Sequence, residues 1–292
     1  VNGVDWKRMF ASRADRSDLP WRQKMDDYSN LSSGSIRLTH KGEIVLPDSL
    51  VPSQELTLFL EKETGVVNHI NDLSNLAIPF TAVATDLVNG DRVELQKGLN
   101  LAAAMRASMS VPGVFAPVMQ GNRLLVDGGL VDNLPVELAR KMGADVIIAV
   151  NVGTPLLKRD ELNSVVAVMG QMVNLLTEKS VNRSIEALRQ NDILITPSLE
   201  AFDSADMERG AEIIEAGRVA AEGVKELLAK LSSKEHDWQS WEAKRETAVL
   251  PDSRVTEHRV SEVRVEGLTY INPETVLSEL AFDTSRPITN EQ

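Results

Sequence analysis

The 292-residue chain contains no cysteine, which removes disulfides, thiolate catalysis and cysteine-ligated zinc or iron–sulfur centres at once. That absence fits passage through an oxidising compartment without mispairing, and fits a reducing one equally well. No apolar run approaches the ~20 residues that a helix needs to cross a bilayer. Histidine is scarce: His40, His69, His236 and His258 are the only four, none beside a glycine-framed serine or in an HExxH pair. A Ser-His-Asp triad and a histidine-based metal site are therefore not expected, and nothing implies a cofactor. Positive charge is also in deficit. Thirty-one Lys and Arg against 43 Asp and Glu give a net charge of −12, a surface that nucleic-acid phosphates would repel. What remains is ordinary globular composition, 42% hydrophobic and 25% charged, on a chain long enough for one large α/β domain with a small companion.

Strand and helix patterns alternate along most of the chain. Ser35–Leu38 and Gly42–Leu46 read as two short strands about a Lys41-Gly42 turn, after a helical face of Trp6, Met9 and Phe10. A helix follows over 50–64, with Leu56, Phe59 and Leu60 as its buried stripe. Pro79–Asp86 is a continuous β-prone run, the mark of a strand covered on both faces. Leu99–Ser108 is an alanine-rich helix ended before Pro112-Gly113, and Leu124–Val126 is a short strand stopped by Asp127-Gly128-Gly129. A helix over Pro135–Met142 and a buried strand over Val146–Val150 come next. Two long helices are expected beyond it, one with Leu162, Val166, Met169, Val173 and Leu176 on a face, the other running from Ile213 to Leu231. Between them, Asp192–Ile195 reads as a strand. This alternation predicts a mainly parallel sheet with helices on both faces, a three-layer α/β domain over residues 1–231. A polar linker over 232–258 leads to a last segment, 259–292, with one alternating strand at Val260–Val265 and a helix from Pro273.

The stretch richest in chemistry is Leu125-Val126-Asp127-Gly128-Gly129. A carboxylate at the end of a buried strand sits where open α/β sheets place their ligands. Two glycines after it allow unusual backbone angles and leave room for a neighbouring group. Asp127 would then be a rigidly held base at the rim of a cleft, with Gly128 and Gly129 as its supporting turn. The competing reading makes Asp127 an Asx-turn residue and Gly128-Gly129 a tight turn. Ser108 and Ser110 lie close in sequence, but small residues packing a helix end account for them better than a nucleophile does.

The words around this turn occur in a specific order. Val83-Ala84-Thr85-Asp86 precedes the alanine-rich helix; then come Arg106-Ala107-Ser108-Met109-Ser110-Val111-Pro112-Gly113-Val114-Phe115, the Asp127 turn running on to Leu130-Val131-Asp132-Asn133-Leu134-Pro135, and Met142-Gly143-Ala144-Asp145-Val146. Together they resemble the patatin-like phospholipase family, well over residues 75–230 and loosely before. The resemblance implies a Ser–Asp dyad lipid acyl hydrolase. A serine in a Gly-x-Ser-x-Gly elbow attacks the ester carbonyl, the Asp of Asp-Gly-Gly takes its proton, and a glycine-rich loop binds the oxyanion. The aspartate carries over to Asp127. Neither Gly-x-Ser-x-Gly nor the glycine-rich loop occurs in the chain, so the nucleophile is not in it; the chain starts at Val1 and ends in polar text at Gln292, as the middle of something longer would. The implied partners are a phospholipid or other acyl-ester lipid and a membrane surface.

Val260–Leu268 and Ile271-Asn272-Pro273 further resemble the start of a POTRA domain. A patatin-like domain followed by POTRA resembles the layout of bacterial patatin-type autotransporters, which implies the cell envelope, at the outer membrane or secreted. Two rivals stay open. One is a nucleotide-binding domain using Val146–Gly153, which lacks Gly-x-Gly-x-x-Gly. The other is a non-enzymatic binding module on the same fold.

Overall fold

The computed structural model describes residues 37–38, 44–45, 54–153, 156–202, 206–249, 257–258 and 288–289. Strands β1 (Arg37–Leu38) and β2 (Ile44–Val45) pair antiparallel, as the Lys41-Gly42 turn predicts. The helix placed around Trp6 to Phe10 lies outside the described residues, as do the strand and helix of the POTRA-like segment. From that last segment only the antiparallel pair β9 (Glu257–His258) and β10 (Ile288–Thr289) is described.

Helix α1 (Gln54–Glu63) buries Leu56 and Leu60. Strand β3 (Ala82–Asp86) is buried at every position, so both faces are covered. It lies centrally in a four-stranded sheet with β4 (Arg92–Leu95), β6 (Arg123–Asp127) and β5 (Val118–Gln120), in the order β4-β3-β6-β5. Every pairing in this sheet is antiparallel, contrary to the mainly parallel sheet expected from strand–helix alternation. The reason is local. Gly90, at φ +77°, and Gly121, at φ +59°, turn β3 into β4 and β5 into β6, and strands joined by so short a turn can only run antiparallel. The parallel part is a separate pair, β7 (Ile148–Val150) with β8 (Ile193–Ile195).

Helix α2 (Leu101–Ser108), capped by the Asn100 side chain on the Ala103 N–H, lays Ala104 and Ala107 on the sheet beside Ala84 and Leu125. Its Ala102 meets Leu56, Leu60 and Phe115 under α1. Alanines here let the helix approach two layers at once. A short helical turn α3 (Gly129–Asp132) and helix α4 (Val136–Lys141) follow β6. Helix α5 (Val165–Glu186) packs Val181 and Ile185 on Leu134, Val136, Ile147 and Ala149. Asp192 ties this unit together, accepting from the Arg189 and Ile147 N–H groups and pairing with Arg140 at 2.5 Å.

Four further expectations need correction. Strand β7 is buried on one face only: Ile147 and Ala149 point to the core, while Ile148 and Val150 are about half exposed. The stripe Leu162–Leu176 is not the core face of α5, since Met169 and Leu176 are more than half exposed and the core contacts come later in the helix. The last long helix breaks at Val224 into α6 (Gly210–Gly223) and α7 (Lys225–Ala229). The stretch read as a linker contains a helix, α8 (Glu235–Val249), on which Trp238 and Trp241 stack with ring centres 5.1 Å apart.

Candidate active site

Asp127 is the last residue of β6, opposite Ala84 on the central strand. Its backbone is held from both sides: its N–H donates to the Ser110 carbonyl at 2.9 Å, and its carbonyl accepts the Thr85 hydroxyl at 2.8 Å. Its carboxylate oxygen Oδ1 accepts the Gly129 N–H at 2.6 Å, an Asx-turn bond. The Asx-turn reading of the motif is therefore met at this side chain. Oδ1 makes the turn, while Oδ2 takes no hydrogen bond from any described residue. Burial pushes the Asp127 carboxyl above the ordinary carboxylate range, against the smaller opposing pull of the Gly129 N–H.

The glycines act by size. Gly128 has a helical φ of −71°, which any residue adopts, so the expectation of an unusual backbone angle there is wrong. A Cβ at this position would sit 2.2 Å from the Val83 carbonyl oxygen and 2.6 Å from its carbon. The turn thus lies directly against the backbone of β3. At Gly129 a Cβ would meet Asp127 Oδ1 and Asn133 Oδ1, each at 2.9 Å, and would disturb the carboxylate itself.

Five supporting residues were not assigned these roles from sequence. Ser108 donates its hydroxyl to the Val83 carbonyl at 2.7 Å, and its own carbonyl faces the Gly128 N–H at 3.4 Å. Ser110 is fully buried; its hydroxyl donates to the Arg106 carbonyl and accepts from the Arg106 guanidinium at 2.6 Å. Neither serine is free to attack a substrate, in keeping with the packing role expected of them. Arg106 is itself buried and reaches the Ala116 carbonyl at 3.1 Å and the face of Phe115, with no carboxylate against it among the described residues. Burial lowers its pKa for that reason. Behind the turn, Thr177 and Ser180 of α5 donate to the carbonyls of Gly129 and Val131 at 3.2 and 3.1 Å. An arginine near the end of the alanine-rich helix, followed four residues later by serine, was the available sequence signal for the contact between Arg106 and Ser110. The contacts from α5 cross about fifty positions and had none.

Among the described residues no group of His, Cys, Asp or Glu could hold a metal ion. His69 is exposed, and His236 is an exposed neighbour of Asp237. No helix of the described residues is long and apolar enough to cross a membrane.

A carboxylate with one oxygen committed to a turn and one unclaimed among the described residues, lifted in pKa by burial and fixed through both backbone groups, is chemically able to accept a proton. Residues 9–140 match the family model described as patatin-like phospholipase, a stretch that contains Arg106 to Phe115 and the whole Asp127 turn and ends at Arg140. An uncharacterized NTE family protein of Mycobacterium tuberculosis is 49% identical over 80 residues, 27% of this chain and 22% of that protein. A second NTE family protein of that species is 41% identical over 66 residues, 23% of this chain and 11% of its own length. The patatin-like phospholipase domain-containing protein 7 of Mus musculus is 37% identical over 91 residues, 30% of this chain and 6% of that protein. The match thus spans about a fifth of the first relative's length and less of the others. Over the matched stretch these likenesses support the patatin family and a patatin-like α/β domain.

Proposed function

We propose that this chain supplies the base of a patatin-like lipid acyl hydrolase, with Asp127 as the general base of a Ser–Asp dyad. The observation that carries the reading is the carboxylate itself. Oδ1 is anchored on the Gly129 N–H, Oδ2 is unclaimed among the described residues, and burial raises its basicity. In the reaction, Oδ2 takes the proton of a serine hydroxyl while the serine oxygen bonds the ester carbonyl carbon. The proton then passes to the departing alcohol as the ester C–O bond breaks. Water, deprotonated by the same carboxylate, attacks the acyl-serine; the proton returns to the serine oxygen as its bond to the acyl carbon breaks, which frees the fatty acid and restores the carboxylate. The serine and the oxyanion donors come from polypeptide outside this chain, because no Gly-x-Ser-x-Gly occurs within it. A phospholipid or other acyl ester is the substrate class. A location in the cell envelope rests on residues 260–273 alone, and fractionation of the producing cell tests it.

One observation favours a second reading: the chain contains a base and no nucleophile, which suits a binding module that has kept the fold. A single experiment separates them. The isolated 292-residue chain should show no turnover of p-nitrophenyl butyrate. The intact protein should hydrolyse it and react with a fluorophosphonate at one serine outside this chain. An intact protein that neither turns over nor labels would leave the binding module as the account.

A further inference from the structure

Helix α5 is apolar on two faces where a helix covering one core needs only one. Val181 and Ile185 meet the core under β7. On the opposite face Val168, Met169, Met172, Leu175 and Leu176 are between 46% and 61% exposed. This first half of the helix also lacks charge: residues 162–177 contain no Asp, Glu, Lys or Arg. One turn further along the same face the chemistry changes. The groove opened by Met172, Leu175 and Leu176 continues past Lys179 and Arg183, with Glu178 and Glu186 also on its walls. No carboxylate of the described residues lies within ion-pair distance of Lys179 or Arg183, and their mutual spacing of one helical turn keeps two like charges together.

We infer that this face of α5 seats on a bilayer of zwitterionic phospholipid, with the apolar stripe among the acyl chains and the unpaired cations on the headgroup phosphate. The charges select the occupant. Lys179 and Arg183 suit a phosphate, and the two glutamates beside them suit the ammonium group that a zwitterionic headgroup carries next to it. The net charge of −12 turns the whole molecule away from anionic membranes and leaves a neutral surface as the better partner. The other side of the helix is already occupied: the Thr177 hydroxyl donates to the Gly129 carbonyl and Ser180 to the Val131 carbonyl, so the stripe is the side of α5 turned away from the Asp127 turn. Amphipathic helices bind interfaces through buried apolar area of this kind, without spanning the membrane.

The inference rests on the hydrolase reading for its purpose, and its test is separate from turnover. The intact protein is sedimented with phosphatidylcholine vesicles and, in parallel, with phosphatidylglycerol vesicles. The parent should bind phosphatidylcholine at least as well as phosphatidylglycerol. The double variant Met172→Asp/Leu176→Asp should lose about tenfold or more in partitioning. Lys179→Glu/Arg183→Glu should lose about fivefold. Both variants should melt within a few degrees of the parent and keep its rate on soluble p-nitrophenyl butyrate. Unchanged vesicle binding in the apolar variant, or a preference for phosphatidylglycerol, would overturn the inference. So would a large fall in melting temperature, or the splitting of a dimer seen by sedimentation velocity, since either would mean that protein covers the stripe. A protein that binds phosphatidylcholine in this pattern but hydrolyses nothing would sink the hydrolase reading and leave the membrane face standing.

Discussion

Replacing Gly128 by alanine would drive a methyl group into the Val83 carbonyl, which belongs to the central strand and already accepts the Ser108 hydroxyl. Neither side can yield without breaking the β3–β6 ladder, so Gly128→Ala should cost at least about 3 kcal/mol in chemical denaturation. A change below about 1 kcal/mol would mean that the turn is looser than the geometry described here. The Asp-Gly-Gly motif stood out in the sequence through the order of the words around it, since alone it reads equally as the turn that the Gly129 bond makes. The reason for its first glycine was not legible. Close approach to another strand depends on which strand lies there, and the residues between Val83 and Gly128 do not state it. The same holds for Thr85, whose hydroxyl reads as a β-former in sequence and in the fold caps the Asp127 carbonyl.

At the scale of elements, most helices and most strands were legible because they carry local signals: the Asn100 cap on α2, the unbroken apolar run of β3, the positive-φ Gly143 after α4. The sheet's direction was misread, although the signals were present in Asn89-Gly90 and Gly121-Asn122, dipeptides suited to hairpin turns. The strands they serve, β4 and β5, are short and partly polar, so the alternation of stronger segments hid them. The unit formed by α4, β7 and β8 has a different weak point. The Arg189 and Ile147 N–H groups and the Arg140 guanidinium hold the Asp192 carboxyl below the ordinary carboxylate range. A carboxyl whose pKa is lowered by folding adds stability above its unfolded pKa of about 4, and the contribution is lost as pH falls through the folded value. Asp192→Asn should therefore lower the melting temperature at pH 7, and the difference should close as the pH drops toward about 3. An equal deficit at both pH values would assign the loss to hydrogen-bond geometry and not to the charge.

For the whole molecule, the central claim is that the half-buried carboxylate at the end of β6 takes a proton from a nucleophile brought by another part of the protein. The opposite sign of its pKa shift separates Asp127 from Asp192. A carboxyl raised by burial favours its protonated form in the fold, so its ionisation opposes folding as pH rises through the interval between its unfolded and folded values. Asparagine removes that penalty and keeps the size and the Oδ1 bond to Gly129, but it cannot accept a proton. The most direct measurement is kcat of the intact Asp127→Asn protein on p-nitrophenyl butyrate, taken beside its thermal melt at pH 7. The account predicts a fall in kcat of about 1,000-fold or more, with a melting temperature equal to or above the parent's. An Asp127→Asn protein that turns over at a rate close to the parent's would contradict it, and would leave Asp127 as the acceptor of one turn bond.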